Sequence, residues 1–339
     1  MKIDALFNAP IKKAAKAAQE AEFLGYDAVW LTETGHNPFL PMVPIATHTQ
    51  TLSMGTGIAV ALARSPMTLA QEAWDLAEAS GGRFILGLGS QVKGHIVRRF
   101  SMPWDKPVEQ MRDMIGALRA IWHAFQHRTP LQYEGPYYKL SLLTPFFSPS
   151  PMPYWEVPVY LSAVGEKMTS LGAEVAQGLM LHAFTNIAYI RKVTLPAIEA
   201  GLQKSGRSRN ELSVAGPAFV ITGDEGQAAQ MEGLVRQQIA FYGSTPAYSE
   251  VLAILGHLEL HQELHRLSKQ QKWADMAALI PADVVDAFAV RAPLEQLGAK
   301  LVERYGPYYD RLVMYLPLPA SNLEAVQTCL RSVQMSAVS

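Results

Sequence analysis

Hydrophobic and polar positions along the chain keep switching between two periods. Ile3 to Phe7 is a short apolar run that predicts a strand. Pro10 then opens a helix whose apolar positions, Ile11, Ala14, Ala15, Ala18, Ala21 and Leu24, share one face, and Gly25 stops it. Ala28 to Thr32 predicts a second strand, followed by a polar, proline-bounded loop over 33–41 and a helix to about residue 50. Leu52 to Leu62 holds a third strand, in which Gly55 and Gly57 mark a bulge or a close backbone approach. Pro66 starts a helix with Leu69, Ala70, Ala73, Trp74 and Ala77 on one stripe. After the Gly81-Gly82 turn, Phe84 to Gly89 reads as a fourth strand.

The pattern then lengthens and resumes. Val108, Met111, Ile115, Leu118, Trp122 and Phe125 repeat in steps of three and four, as in a long helix packed on a core. Residues 131–158 are rich in proline and aromatics and read as an irregular excursion covering one end of the fold. Strands five, six, seven and eight are expected over 157–162, 179–182, 212–221 and 311–315, with helices over 167–176, 188–205 and 322–333. Residues 224–290 read as a mostly helical insertion. Strand–helix alternation with short connections implies parallel strands and right-handed crossovers. Eight such units predict an α/β fold of the TIM (β/α)8 barrel type, which needs about 250 residues and leaves length for insertions. The expectation is one domain over 1–339 with insertions at about 90–106, 131–158 and 224–290. An open doubly wound sheet is the structural rival.

Composition narrows the functional classes. The chain has 339 residues, 49% hydrophobic and 17% charged, with formal net charge −1. Near-zero charge offers no electrostatic footprint for nucleic acid or an anionic membrane. One cysteine, Cys329, rules out an internal disulfide framework and suits a reducing compartment. No apolar run reaches the roughly 18 residues of a membrane span, and the N-terminus does not read as a signal peptide. A cytoplasmic protein acting on a small molecule is the expectation.

A barrel carries its chemistry at the C-terminal ends of its strands. The loops starting at Asn8, Glu33, Gly57, Gly89, Ala163 and His182 are therefore the candidates. Gly87-x-Gly89-Ser90 is not a dinucleotide fingerprint, because no further glycine opens a helix; the two glycines either bare a strand face or relieve crowding. Val164-Gly165-Glu166-Lys167 is either an anion site at a helix start or an ordinary turn. Glu33 and His36 could handle a proton, or the loop could serve only to cap the next helix through Thr34 or Asn37. His257, His261 and His265 recur every four residues, but the acid does not follow the first histidine as in a zinc protease helix. A solvated polar face, without metal, is the plainer reading.

Several stretches together carry a resemblance: Gly25-Tyr26-Asp27-Ala28-Val29-Trp30; Gly55-Thr56-Gly57-Ile58 with Arg64-Ser65-Pro66; Ser80 through Gly89; and Pro158 through Ala163 before Gly165, with Ala173 through Gly178. In this order and spacing the chain resembles the luciferase-like monooxygenase superfamily, over nearly its whole length. Gln91, Arg98 through Trp104 and Thr144 through Phe147 make it most similar to the subgroup using the deazaflavin coenzyme F420 rather than FMN.

The resemblance implies a flat ring in the barrel mouth, backed by a bulge in strand three with a non-proline cis peptide at Gly57-Ile58. It implies that the loop from Glu33 through Thr34 to Asn37 touches the ring. Gly89, Ser90 and Gln91, continuing to His95, would hold the polar tail, and Val164, Gly165, Glu166 and Lys167 the phosphate. Assembly as a homodimer is also an expectation from relatives. There are departures. A sugar-phosphate dehydrogenase branch carries an Asp-His pair where this chain has Glu33-Thr34, with His36 two places on, and an acid where it has Val92. Glucose 6-phosphate is therefore not the expected substrate. The expected activity is hydride transfer between F420 and an organic substrate, with His36 handling the proton and Glu33 positioning the ring. An FMN-dependent monooxygenase and a non-catalytic flavin-binding protein are the alternatives.

Overall fold

The computed structural model describes residues 1–318 and 322–336. β1 (Lys2–Phe7), α1 (Ile11–Leu24), β2 (Ala28–Leu31), α2 (Met42–His48), β3 (Ser53–Thr56), β4 (Ala59–Val60), α3 (Pro66–Ala79) and β5 (Phe84–Gly89) form the first half. A short α4 (Lys93–Arg98), the long α5 (Pro107–His127) and a hairpin of β6 (Tyr133–Glu134) and β7 (Lys139–Leu140) follow. The second half runs through β8 (Val159–Ala163), α6 (Glu166–Val175), β9 (Gly178–Leu181), α7 (Ile187–Tyr189), α8 (Leu195–Ser205) and β10 (Ser213–Ile221). Next come α9 (Glu225–Gly243), α10 (Ser249–Ala253), α11 (Leu258–Lys269), α12 (Trp273–Ala278), α13 (Ala282–Phe288) and β11 (Ala289–Arg291). The chain ends on α14 (Leu294–Tyr305), β12 (Arg311–Met314) and α15 (Leu323–Met335).

All pairings among the strands of the main sheet are parallel, and β12 pairs with both β10 and β1. The sheet is therefore closed, and the expected TIM barrel is present. Its eight staves are β1, β2, β3 with β4, β5, β8, β9, β10 and β12. The strand-three run is broken in two: β3 ends at Thr56, β4 resumes at Ala59, and the Gly57–Ile58 peptide between them is cis.

Alternation along each stave sorts the core into two parts. Trp30, Ile85, Tyr160, Met180, Ala215 and Val313 point inward and fill the barrel, while a much larger cluster joins its outer face to the helices. The barrel interior also holds charge. Arg311 donates to both carboxylate oxygens of Asp4 at 2.8 Å, and Trp30 Nε1 donates to Asp4 at 2.9 Å. Asp4 and Arg311 are buried and lie on the first and last strands, so the pair spans the seam that closes the barrel.

The two long insertions are anchored in different ways. The 131–158 excursion places Tyr154 over the Gly81–Gly82 turn, at the end of the barrel where β5 begins. It runs along the outer face of α5, where Asp113 accepts from the Tyr133 hydroxyl and from the Tyr137 and Tyr138 N–H groups, and it returns past Gln126 at Met152. Leu131, Met152 and Val157 add buried apolar contacts to this carboxylate anchor. The 224–290 segment ends in β11, which extends the sheet beside the far end of β10, and its helices enclose a second core over β9 and β10 with Phe184, Phe219 and Phe288. β11 is too short for an alternation to show in sequence.

Removing one partner of the seam pair strands the other charge. Arg311→Met is expected to lower unfolding free energy by about 3–5 kcal/mol, and the double change Asp4→Leu/Arg311→Met to recover most of it. Urea unfolding of the three variants against the parent measures this; an additive double mutant would contradict it.

Candidate active site at the barrel mouth

The mouth is built around the break in strand three. Gly87 and Gly89 prove to be packing glycines. A Cβ on Gly87 would lie 1.8 Å from the Thr56 carbonyl oxygen, and one on Gly89 would lie 2.7 Å from Ile58 Cδ1. Thr56 Oγ1 also donates to the Gly87 carbonyl at 2.6 Å, so the bulge is fastened to β5. A Cβ on Gly57 would meet Trp30 Cβ at 2.9 Å, Leu6 Cδ1 at 3.5 Å and Met180 Sδ at 3.6 Å. The barrel filling thus reaches up to the Gly57 backbone. Both Gly57 and Ile58 remain partly exposed between buried neighbours. The result is a small flat shelf of backbone, with Leu6 and Ser162 beside it, each also partly exposed.

Glu33 holds this shelf from behind. Its carboxylate accepts from Arg64 at 2.7 and 2.9 Å and from the Val60 N–H at 2.7 Å. The Glu33 and Arg64 side chains are only 7% and 12% exposed, and Arg64 stacks over Phe39. Such a bidentate, shielded carboxylate fixes where β4 starts. The geometry gives Glu33 a positioning role and leaves its carboxylate little freedom for proton transfer.

The other predicted residues are spread around the rim. Thr34 Oγ1 accepts from Asn8 Nδ2, and the Thr34 carbonyl accepts from Arg99, which ties the loops after β1, β2 and β5 together. His36 is exposed and, with Asn8 and Asn37, lines a narrow crevice. Asn37 Oδ1 accepts from the Phe39 N–H, so that residue serves the local turn before α2. Gln91 sits at φ 60°, and its side-chain oxygen accepts from the Val92 N–H. The Ser90 hydroxyl donates to the Gln91 carbonyl, and His95 is exposed on α4. Val164 is tied down by the Tyr189 hydroxyl. Gly165 caps α6 without a side-chain bond, leaving first-turn N–H groups open beside exposed Lys167, with Glu166 opposing a further negative charge.

The histidines of the insertion are neither a metal set nor a solvated face. His261 and His265 bond through Nδ1 to the carbonyls of Gly243 and Ser244 at the end of α9, and His257 Nε2 meets Asp283. They fasten α11 to its neighbours.

One mouth residue stands out beyond those singled out by motif. His182 follows β9, two places after the inward-facing Met180. Its ring lies edge-on to Tyr242 at 4.5 Å and against Tyr248 at 5.0 Å. Burial pushes its imidazole down to about 4, although the residue as a whole is not fully buried. Its place at a strand end was readable in sequence; its desolvation was not, because the tyrosines arrive from about 60 residues away in sequence.

The family model described as luciferase-like monooxygenase matches residues 4–311. The chain belongs to this family of enzymes. An uncharacterized protein of Mycobacterium tuberculosis is 43% identical over 333 residues, covering 98% of this chain and 97% of that one. A 5,10-methylenetetrahydromethanopterin reductase of Archaeoglobus fulgidus is 24% identical over 314 residues, covering 91% and 90%. Among solved structures, the coenzyme F420-dependent tetrahydromethanopterin reductase of Methanopyrus kandleri superposes with TM-score 0.80 at 21% identity, covering 98% of each chain. Among the described residues no helix is long and apolar enough to cross a membrane.

Two outcomes are expected. Glu33→Ala leaves Arg64 and the Val60 N–H without their acceptor and should cost about 2–3 kcal/mol in urea unfolding, with Glu33→Gln in between. A His182 held neutral in the fold but protonated when unfolded makes stability fall as pH drops from 6.5 toward about 4. Unfolding free energy measured across that window should lose part of its pH slope in His182→Gln.

Proposed function

We propose that this chain is an oxidoreductase that exchanges a hydride between coenzyme F420 and a small organic substrate. The observation that carries the reading is the flat, partly exposed Gly57–Ile58 shelf at the barrel mouth. A bare peptide surface pressed up by Trp30, Leu6 and Met180 fits one face of a planar ring system. When bound, the deazaflavin supplies the two-electron hydride chemistry.

The chain's own residues supply position. Gly57 and Ile58 would back the ring, held in register by Glu33 and Arg64. The loop from Ser90 through Gln91 to His95 would border the tail, and the start of α6 from Val164 to Lys167 would receive its phosphate on open N–H groups. His36, exposed at the rim, would hand a proton to or from solvent. Leu6 and Ile58 keep the shelf apolar, which favours close stacking over water. Likeness to F420-dependent relatives supports this cofactor. The family's monooxygenase members support FMN as the second reading, and the same shelf would serve it.

Calorimetric titration separates them. F420 should bind with micromolar or tighter affinity and FMN at least about tenfold more weakly; the reverse order would replace the main reading with the second. Gly57→Val should weaken F420 binding by at least about tenfold with the fold retained by circular dichroism.

A further inference from the structure

We propose that His182 is a specificity-determining residue that donates a hydrogen bond from Nε2 to an acceptor oxygen of an uncharged, planar substrate. This rests on reading the mouth as the site of hydride exchange.

Two observations place the donor. Met180 Sδ would lie 3.6 Å from a Cβ on Gly57, so the Met180 side chain reaches from β9 across the barrel to the level of the shelf. His182 lies two residues further toward the mouth, roughly 6.6 Å along the strand direction. Its ring is therefore on the open side of the shelf, where a substrate stacked on the cofactor would sit.

The tautomer follows from the backbone. The Phe184 N–H donates to His182 Nδ1 at 3.0 Å, so Nδ1 is the acceptor and the proton resides on Nε2. Among the described residues Nε2 has no hydrogen-bond partner, and the residue is not fully buried. Tyr242 from α9 and Tyr248 from the turn before α10 fix the ring plane. Tyr242 is fixed in turn by Tyr315, whose hydroxyl also reaches Gln238.

The surroundings choose the substrate's charge. Tyr242 and Tyr248 are the titratable groups stacked against the ring, and neither brings a carboxylate or a cation to it. Desolvation alone accounts for the depressed basicity of His182, with no neighbouring charge contributing. An anionic substrate would lose hydration here against aromatic walls with no counter-charge. A carbonyl on a flat apolar skeleton gains an N–H donor and keeps its stacking surface. The class assigned is therefore an uncharged cyclic ketone, enone or comparable oxygen-bearing ring, rather than a phosphate or carboxylate.

The test uses the full chain loaded with F420 and two probes, 2-cyclohexen-1-one and the anionic 1-cyclohexene-1-carboxylate. Nitrogen-15 NMR of histidine-labelled protein reads the His182 ring directly. The expected result is a neutral Nε2–H tautomer at pH 7 whose resonance shifts saturably with the enone and not with the carboxylate. His182→Phe should weaken enone binding about tenfold, equivalent to about 1.4 kcal/mol. His182→Gln, which keeps a side-chain N–H, should restore most of it. F420 affinity should be the same in all three proteins. An Nδ1–H tautomer, no shift on enone addition, equal response to both probes, or a loss of F420 affinity in His182→Phe would each overturn the proposal. If the parent fails to bind F420, the proposed function itself fails, and the enone response of the His182 resonance in the unloaded chain still decides whether this donor exists.

Discussion

The Asp4–Arg311 pair joins the first strand of the barrel to the last, and the interior depends on that closure. A parallel sheet of eight staves has no edges only if its ends meet, and here they meet across a buried ion pair rather than an apolar contact. Two charges out of water are tolerable only when fully bonded. Arg311 and the Trp30 indole together give Asp4 three donors. That arrangement fixes Trp30, and Trp30 in turn sets the level of everything above it.

The mouth is the next layer of the same construction. Trp30 presses against Gly55 and Gly57, so neither position has room for a side chain. The strand breaks there, and β5 accommodates the break with glycines of its own at Gly87 and Gly89. Glu33 then grips the restarted strand at Val60 through a carboxylate shared with Arg64. A flat shelf with fixed height and tilt results from filling below and clamping behind. Such a surface has the shape to receive a planar group, which suits chemistry in which orientation matters more than acid strength.

The insertion adds what the barrel lacks. Its helices carry Tyr242 and Tyr248 to the end of β9 and surround His182 with aromatic rings. Its own histidines fasten α11 to the end of α9, so the wall bearing Tyr242 is anchored rather than draped. The rim loops from Glu33 to His95 carry polar groups around the apolar shelf, and the wall around His182 is aromatic.

The sequence by itself determined the barrel, because eight apolar strand runs separated by amphipathic helices leave a parallel closed sheet as the economical way to bury them. It also marked the bulge, since glycines recurring in a strand signal a backbone approached closely from one side. Glu33, Gln91 and the α6 start were visible as strand-end residues. What only the tertiary structure decided is the state of each group. Glu33 meets an arginine 31 positions away, Gln91 turns back on its own loop, the 131–158 excursion lies along α5 on the Asp113 carboxylate, and His182 loses its water to tyrosines from the insertion. Periodicity records which face of an element is buried. It does not record what long-range packing brings against a polar atom, and in this mouth that packing sets the direction in which these groups bond.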